Sequence, residues 1–161
     1  MITYRKAEER DKKEIIAIER SFYKFDEDIG AYKQLKKIGY QQIPELFFEK
    51  MFEDCLEEEH FFLLAVDGDT IAGYVYVEVM PTESADCYEV KTVGHIDSIF
   101  VLEEYRGKGL GTELINRAVE WLQSKAISVC TIGVRVENEA ALDLYQKLGF
   151  EVGNIKLWKE L

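Results

Sequence analysis

Apolar positions change their spacing along the chain, and each change marks a new kind of element. Between Asp11 and Phe22 they fall at Ile15, Ile16, Ile18 and Phe22, the spacing of a helix with one buried stripe. Residues 26–59 are more polar and read as helical, with an apolar cluster at Ile43, Leu46, Phe47, Met51 and Leu56. Their glycines and Pro44 predict a break into two pieces. At His60 the pattern switches. His60–Val66 reads as a strand, Asp67-Gly68-Asp69 as a turn, and Ile71–Met80 as a second strand rich in β-branched and aromatic residues. After a polar loop near 81–89, another strand is expected over about Lys91–Val101. Leu110, Leu114, Ala118 and Leu122 then form one stripe of a helix spanning Leu110–Lys125. Ile127–Val136 reads as a strand, Glu139–Leu148 as a helix closed by Gly149, and Phe150–Trp158 as one or two strands. With a short opening strand at residues 2–5, this order predicts a mixed α/β domain of α+β character.

No repeat or low-complexity linker divides the 161 residues, so a single domain over 1–161 is expected, large enough to fold without metal or disulfides. Cys55, Cys87 and Cys130 lie far apart with no C-x-x-C pair, which suits a reducing, cytoplasmic setting. The longest apolar run, Phe61–Val66, is too short for a membrane span, and Met1-Ile-Thr-Tyr-Arg-Lys lacks the apolar core of a signal peptide. A net charge of −11 makes duplex nucleic acid and anionic membranes poor partners. Between Glu53 and Glu104, fourteen acids accompany one base, Lys91, so this stretch carries −13 and the remainder +2. It reads either as a solvated acidic surface or as a field that draws in a cationic substrate.

The densest chemistry lies in Arg106-Gly107-Lys108-Gly109-Leu110-Gly111-Thr112, between an expected strand and an amphipathic helix. Glycines let backbone N–H groups approach a ligand, and a helix start offers unpaired N–H groups at the positive end of its dipole. Arg106 and Lys108 add cationic reach toward phosphate. The alternative is a tight turn that needs glycine only for its dihedrals. Leu110 after Gly109 breaks the Walker pattern, and Thr112 breaks the dinucleotide fingerprint.

Arg106-Gly-Lys-Gly109-Leu-Gly111 resembles the [RQ]-x-x-G-x-[GA] signature of the GNAT superfamily of N-acetyltransferases. Asn138-Glu-Ala-Ala141-Leu-Asp-Leu-Tyr145-Gln-Lys-Leu-Gly149-Phe150 resembles that family's second block, N-x-x-A-x-x-x-Y-x-x-x-G-F, in the family's order and at a usual spacing. The resemblance covers about His60–Phe150, and the opening strand and helix fit it; residues 26–59 and the C-terminal tail match no motif. It implies the family's acyl-CoA N-acyltransferase fold: a mostly antiparallel sheet with one splayed parallel pair, flanked by helices. It also implies acetyl-CoA as cosubstrate, with backbone amides of Arg106, Gly107, Lys108, Gly109, Leu110, Gly111 and Thr112 on the pyrophosphate and the strand Ile99, Phe100, Val101 along the pantetheine arm. An N–H left unpaired by the splay would polarise the thioester carbonyl. Asn138 matches a residue that contacts pantetheine or a bound water, and it also suits a helix N-cap. Tyr145 matches the family's proton donor to the departing thiolate, and also falls on an apolar face with Ala141 and Leu148.

An amine must be neutral to attack. At pH 7 that costs about 4.6 kcal/mol for a lysine-type amine and about 1 kcal/mol for an α-amine. Strand alternation places His95, Asp97, Ile99 and Val101 on one face, so His95 and Asp97 would line one site. Both positions resemble places where family members carry a proton acceptor. The base is therefore Asp97, His95 or neither, with bulk solvent taking the proton in the last case. Cys130 reads as a core thiol, and no metal is expected. Phe22, Tyr23, Phe25, Tyr32 and Tyr40, with Asp26, Glu27 and Asp28, are suited to an aliphatic ammonium. The expected acceptor is a cationic primary amine: a polyamine, a lysine side chain or a peptide N-terminus. A non-catalytic acyl-CoA-binding module and a phosphotransfer domain are the competing readings. An Ile155–Trp158 strand would offer a homodimer interface.

Overall fold

The run Phe61–Val66 is apolar at every position because both faces of its strand are covered. In the computed structural model, which describes residues 1–29, 39–57, 60–82, 85–157 and 159, Phe61, Leu63 and Ala65 point into one core cluster and Phe62, Leu64 and Val66 into another. The strands are β1 (Ile2–Lys6), β2 (Phe61–Asp67), β3 (Thr70–Pro81), β4 (Thr92–Val101) and β5 (Cys130–Ile132), in the order β1-β2-β3-β4-β5. All neighbours are antiparallel except β4 and β5, which are parallel.

Helices α1 (Lys12–Asp28) and α2 (Glu45–Cys55) supply Ile15, Ile18, Phe52 and Cys55 to one cluster, against Tyr74, Tyr76 and Phe100 of the sheet. Helix α3 (Leu110–Ser124) covers the other face with Leu110, Leu114, Ile115, Ala118 and Leu122, the stripe that the sequence spacing predicts. Helix α4 (Glu139–Lys147) adds Tyr145 to the same cluster. At the head of α1, Asp11 is buried and accepts both Arg5 guanidinium nitrogens at 2.7 Å and the Glu8 N–H at 2.9 Å. This pins β1 to α1.

Three expectations need correction. Helix α1 runs on to Asp28 instead of ending at Phe22, which carries Tyr23 and Asp26 along the sheet. The strand expected over Ile127–Val136 shrinks to Cys130–Ile132, pairing only Gly94, His95 and Ile96 of β4. The cause lies in β4, where Tyr76 sits opposite Ser98 and Val77 opposite Ile96, leaving Asp97 as an extra residue. Such a bulge bends its strand and increases the local twist, and the parallel pairing ends there. Among residues 150–157 there is no strand, and Ile155 and Leu157 are exposed. Tyr32, Glu58, Glu59, Glu83 and Trp158 lie outside the described residues. No described helix is long and apolar enough to cross a membrane.

Candidate active site

Beyond Ile96, β4 has a partner on one side only. The Leu102 N–H donates to Ala72 O at 3.0 Å, which sets the phase of the β3–β4 ladder. Antiparallel alternation then turns the backbone of Phe100 toward β3 and that of Ile99 and Val101 toward the open edge. The Val101 carbonyl meets Arg106 Nε there, at 2.9 Å. The chain then turns through Gly107 (φ 71°) and Gly109 (φ 82°), left-handed conformations in which a side chain is strained. Gly109 is the N-cap of α3 and makes no side-chain cap, so the amides of Leu110, Gly111 and Thr112 face outward without helical partners. Lys108 Nζ folds back on Glu104 O at 2.7 Å, so both flanking cations brace the turn.

The bulge decides which residues share a face. His95 and Asp97 do lie together, with Nε2 4.0 Å from Oδ1. Ile99 and Val101 do not join them: both pack on the cluster that contains Ile96, because the extra residue reverses the alternation. Thr131 Oγ1 donates to Gly94 O at 3.3 Å and has one proton to give. It therefore accepts from His95 Nδ1–H at 2.9 Å, which turns Nε2 toward Asp97 and the cleft. The Asp97 carboxyl is raised above the ordinary range, first because surrounding protein crowds it from water and then because Glu78 lies near; His95 opposes this.

These residues line a cleft of about 1650 Å³ between α1, α2 and the β4–β5 splay. Phe22, Tyr23, Phe47 and Met51 wall its outer side, with Tyr23 edge-on to Phe47 and Phe48. Glu19, Glu78 and Asp97 line it where α1 faces β3 and β4, and Lys50, Arg135 and Lys156 line it elsewhere. Glu19 and Glu78 did not stand out in sequence, although Glu19 interrupts the apolar stripe between Ile15 and Phe22, a signal in itself. The expected ammonium-binding acids are engaged elsewhere: Asp26 with Arg135, Glu27 with the Tyr40 N–H, Asp28 with Lys24. Cys130 is half-buried and burial pushes its thiol up to about 11, opposite to what a nucleophile needs. No group of three or more His, Cys, Asp or Glu suited to a metal occurs among the described residues.

On the far wall, Tyr145 is held by the end of its own helix. Gly149 (φ 90°) donates to Gln146 O at 3.0 Å and Phe150 N–H to Tyr145 O at 3.0 Å, a Schellman cap. Its usual apolar contact is present as well, with the Tyr145 and Phe150 rings 6.1 Å apart. The spacing Tyr-x-x-x-Gly-Phe is thus the physical device that fixes the tyrosine. Its hydroxyl makes no hydrogen bond among the described residues, and burial pushes it up to about 12. At the other end of α4, Asn138 Oδ1 accepts the Ala141 N–H at 3.3 Å, so Asn138 does act as the N-cap.

The model of the Acetyltransferase (GNAT) family matches residues 18–150, from mid-α1 through the cap of α4. This chain belongs to that family. An uncharacterised N-acetyltransferase of Methanocaldococcus jannaschii is 35% identical over 100 residues, which cover 59% of this chain and 40% of that protein. The chain thus aligns with about two fifths of that relative's length. An N-alpha-acetyltransferase of Sulfurisphaera tokodaii is 34% identical over 125 residues, 73% of each chain. The fold also matches the aminoglycoside acetyltransferase AAC(6')-Iy in complex with a bisubstrate analogue of coenzyme A, with a TM-score of 0.76 over 100% of this chain and 99% of that one, at 15% identity.

Acetyl-CoA is the cosubstrate of GNAT acetyltransferases. The residues present fit it: outward-facing amides at the start of α3 suit a pyrophosphate, and the open Ile99–Val101 edge suits an amide-bearing arm.

Proposed function

We propose that this GNAT chain transfers an acetyl group from acetyl-CoA to a cationic primary amine, foremost the α-amine of a peptide or protein N-terminus. Asp97 on the β4 bulge carries this reading. Its carboxylate lies 4.0 Å from His95 Nε2, at the point where β4 and β5 part. A primary ammonium entering from the α1–α2 side meets Glu19, Glu78 and Asp97, a charge pattern that favours it over neutral amines. An α-amine asks least of so weak a base as a carboxylate, since its deprotonation at pH 7 costs only about 1 kcal/mol. The S. tokodaii relative, named an N-alpha-acetyltransferase, supports the same acceptor class.

Acetyl-CoA supplies an acetyl group activated as a thioester. The amides of Gly107–Thr112 and the edge of Ile99 and Val101 would hold it; the Arg106 N–H is spent on Glu103 O and the Phe100 backbone on β3, so these two expected contacts fall away. Asp97, aided by His95, accepts the amine proton, and no covalent acetyl-enzyme forms on Cys130. Tyr145 keeps its hydroxyl proton at neutral pH and would give it to the thiolate that leaves as the C–S bond breaks and the new C–N bond forms.

A free-thiol release assay with acetyl-CoA tests this, using peptides with free N-termini, N-acetylated lysyl peptides, spermidine and neutral amino acids. Release with the free N-termini, lowered at least tenfold in Tyr145→Phe while acetyl-CoA binding is kept, is the expected result. Preference for neutral amino acids would refute the cationic acceptor. Tight acetyl-CoA binding without release across the panel would favour a binding module.

A further inference from the structure

Glu19 is the one acid on the buried face of α1 at mid-helix, and 4% of its surface is exposed. The Tyr74 hydroxyl, itself buried, donates to Glu19 Oε1. Oε2 has no hydrogen-bond partner among the described residues, nor does it count among their sealed, unsatisfied polar atoms. It is therefore the part of Glu19 that opens into the cleft. A buried carboxylate with one partner is costly, and Leu or Gln would fill the same space more cheaply. Such costs concentrate at functional sites.

We infer that Glu19 is an acceptor-binding residue, whose Oε2 takes a hydrogen bond from the acceptor's ammonium while Tyr74 holds Oε1 in place. This rests on the acceptor entering the cleft as proposed above. The groups facing Glu19 fit that role. Tyr23 comes from α1, Tyr74 from β3, Asp97 from β4 and Cys55 from α2, while Asp26 and Arg135 lie beyond, against Tyr23. Arg135 is paired with Asp26. An incoming ammonium thus supplies the positive charge that Glu19 and Asp97 together lack. Burial raises the Glu19 carboxyl to about 7, with Asp97 adding to the rise and the Tyr74 hydrogen bond opposing it. Before the acceptor binds, Glu19 is thus about half protonated at pH 7, and the proton that the ammonium displaces leaves to solvent.

Carboxyl ¹³C NMR of the glutamate-labelled, CoA-bound chain tests the assignment, with the Glu19 signal identified by its loss in Glu19→Gln. The titration midpoint is expected to fall by a pH unit or more with a free N-terminal peptide amide and to stay put with its N-acetylated form. Equal midpoints with both peptides would overturn the inference. In kinetics, Glu19→Gln should raise the acceptor KM at least tenfold and leave the acetyl-CoA KM within twofold. Tyr74→Phe, which removes only the positioning hydroxyl, should give a smaller rise in the same parameter. A change in the acetyl-CoA KM alone would also count against the assignment. Thiol release without a midpoint shift would refute the role of Glu19; a midpoint shift without release from any amine would refute the transfer reaction and leave the ammonium site standing.

Discussion

Replacing Glu19 by Gln should change how the stability of this protein depends on pH, with a sign and size that follow from its burial. The side chain is 4% exposed and its carboxyl titrates at about 7 in the folded chain, against about 4.3 in an unfolded one. Between those values the folded state holds one more proton than the unfolded state, so this group's contribution falls as pH rises. It is complete below pH 4 and lost by about pH 8. Each pH unit of difference is worth 1.36 kcal/mol, so the loss amounts to roughly 3 to 4 kcal/mol. Gln keeps an acceptor for the Tyr74 hydroxyl and titrates nowhere. Urea unfolding of both proteins at pH 5, 6, 7 and 8 isolates the effect, because other titrating groups cancel in the difference. We expect Glu19→Gln to lie within about 1 kcal/mol of the parent at pH 5 and to gain roughly 3 kcal/mol on it by pH 8. A difference that stays constant across the range would refute the reasoning. It would mean that Glu19 ionises in the folded state as readily as in the unfolded chain.

The acidic limb of kcat/KM should fall above the ordinary carboxylate range, because Asp97 is crowded from water beside Glu78. Asp97→Asn should lower kcat/KM by roughly 100-fold and move or remove that limb; an unaltered profile would hand the proton to another group. Gly109→Ala places a Cβ in open space but at φ 82°, so its cost is conformational. It should lose about 1 to 2 kcal/mol in urea unfolding and weaken acetyl-CoA binding measured calorimetrically. At the end of α3, Ala126 takes the left-handed position of a Schellman cap, φ 60°, with Ile127 N–H on Leu122 O at 3.1 Å. Ala126→Gly should therefore stabilise the chain by about 1 kcal/mol, a Tm rise of about 2–4 °C. A fall in Tm would show that the cap is not strained.

The sequence by itself determined whatever depends on neighbours along the chain. The apolar stripe of α3, the hairpin around Gly68 and the doubly covered run Phe61–Val66 follow from spacing, since burial of one face or two sets the period. The turn at Gly107 and Gly109 and the cap at Gly149 follow from residue type, because a left-handed residue strongly favours glycine. Both family blocks are devices of this local kind, which is why the family could be read from them. The surroundings of Asp97 and Glu19 were decided only by the tertiary structure. Asp97 becomes a bulge because β3 and β4 pair out of step there, a fact of register that neither strand carries alone. That single extra residue ends β5 early, opens the splay and puts Ile99 and Val101 on the face opposite to the one that alternation predicts. Asp26, Glu27 and Asp28 look available in sequence and are engaged by Arg135, Tyr40 and Lys24 in the fold. Glu19 shows the converse, an acid on a buried stripe whose meaning appears once Tyr74 and Asp97 surround it. Charge placed by long-range packing leaves no period in the sequence, because the groups that set its energy lie on other strands and helices.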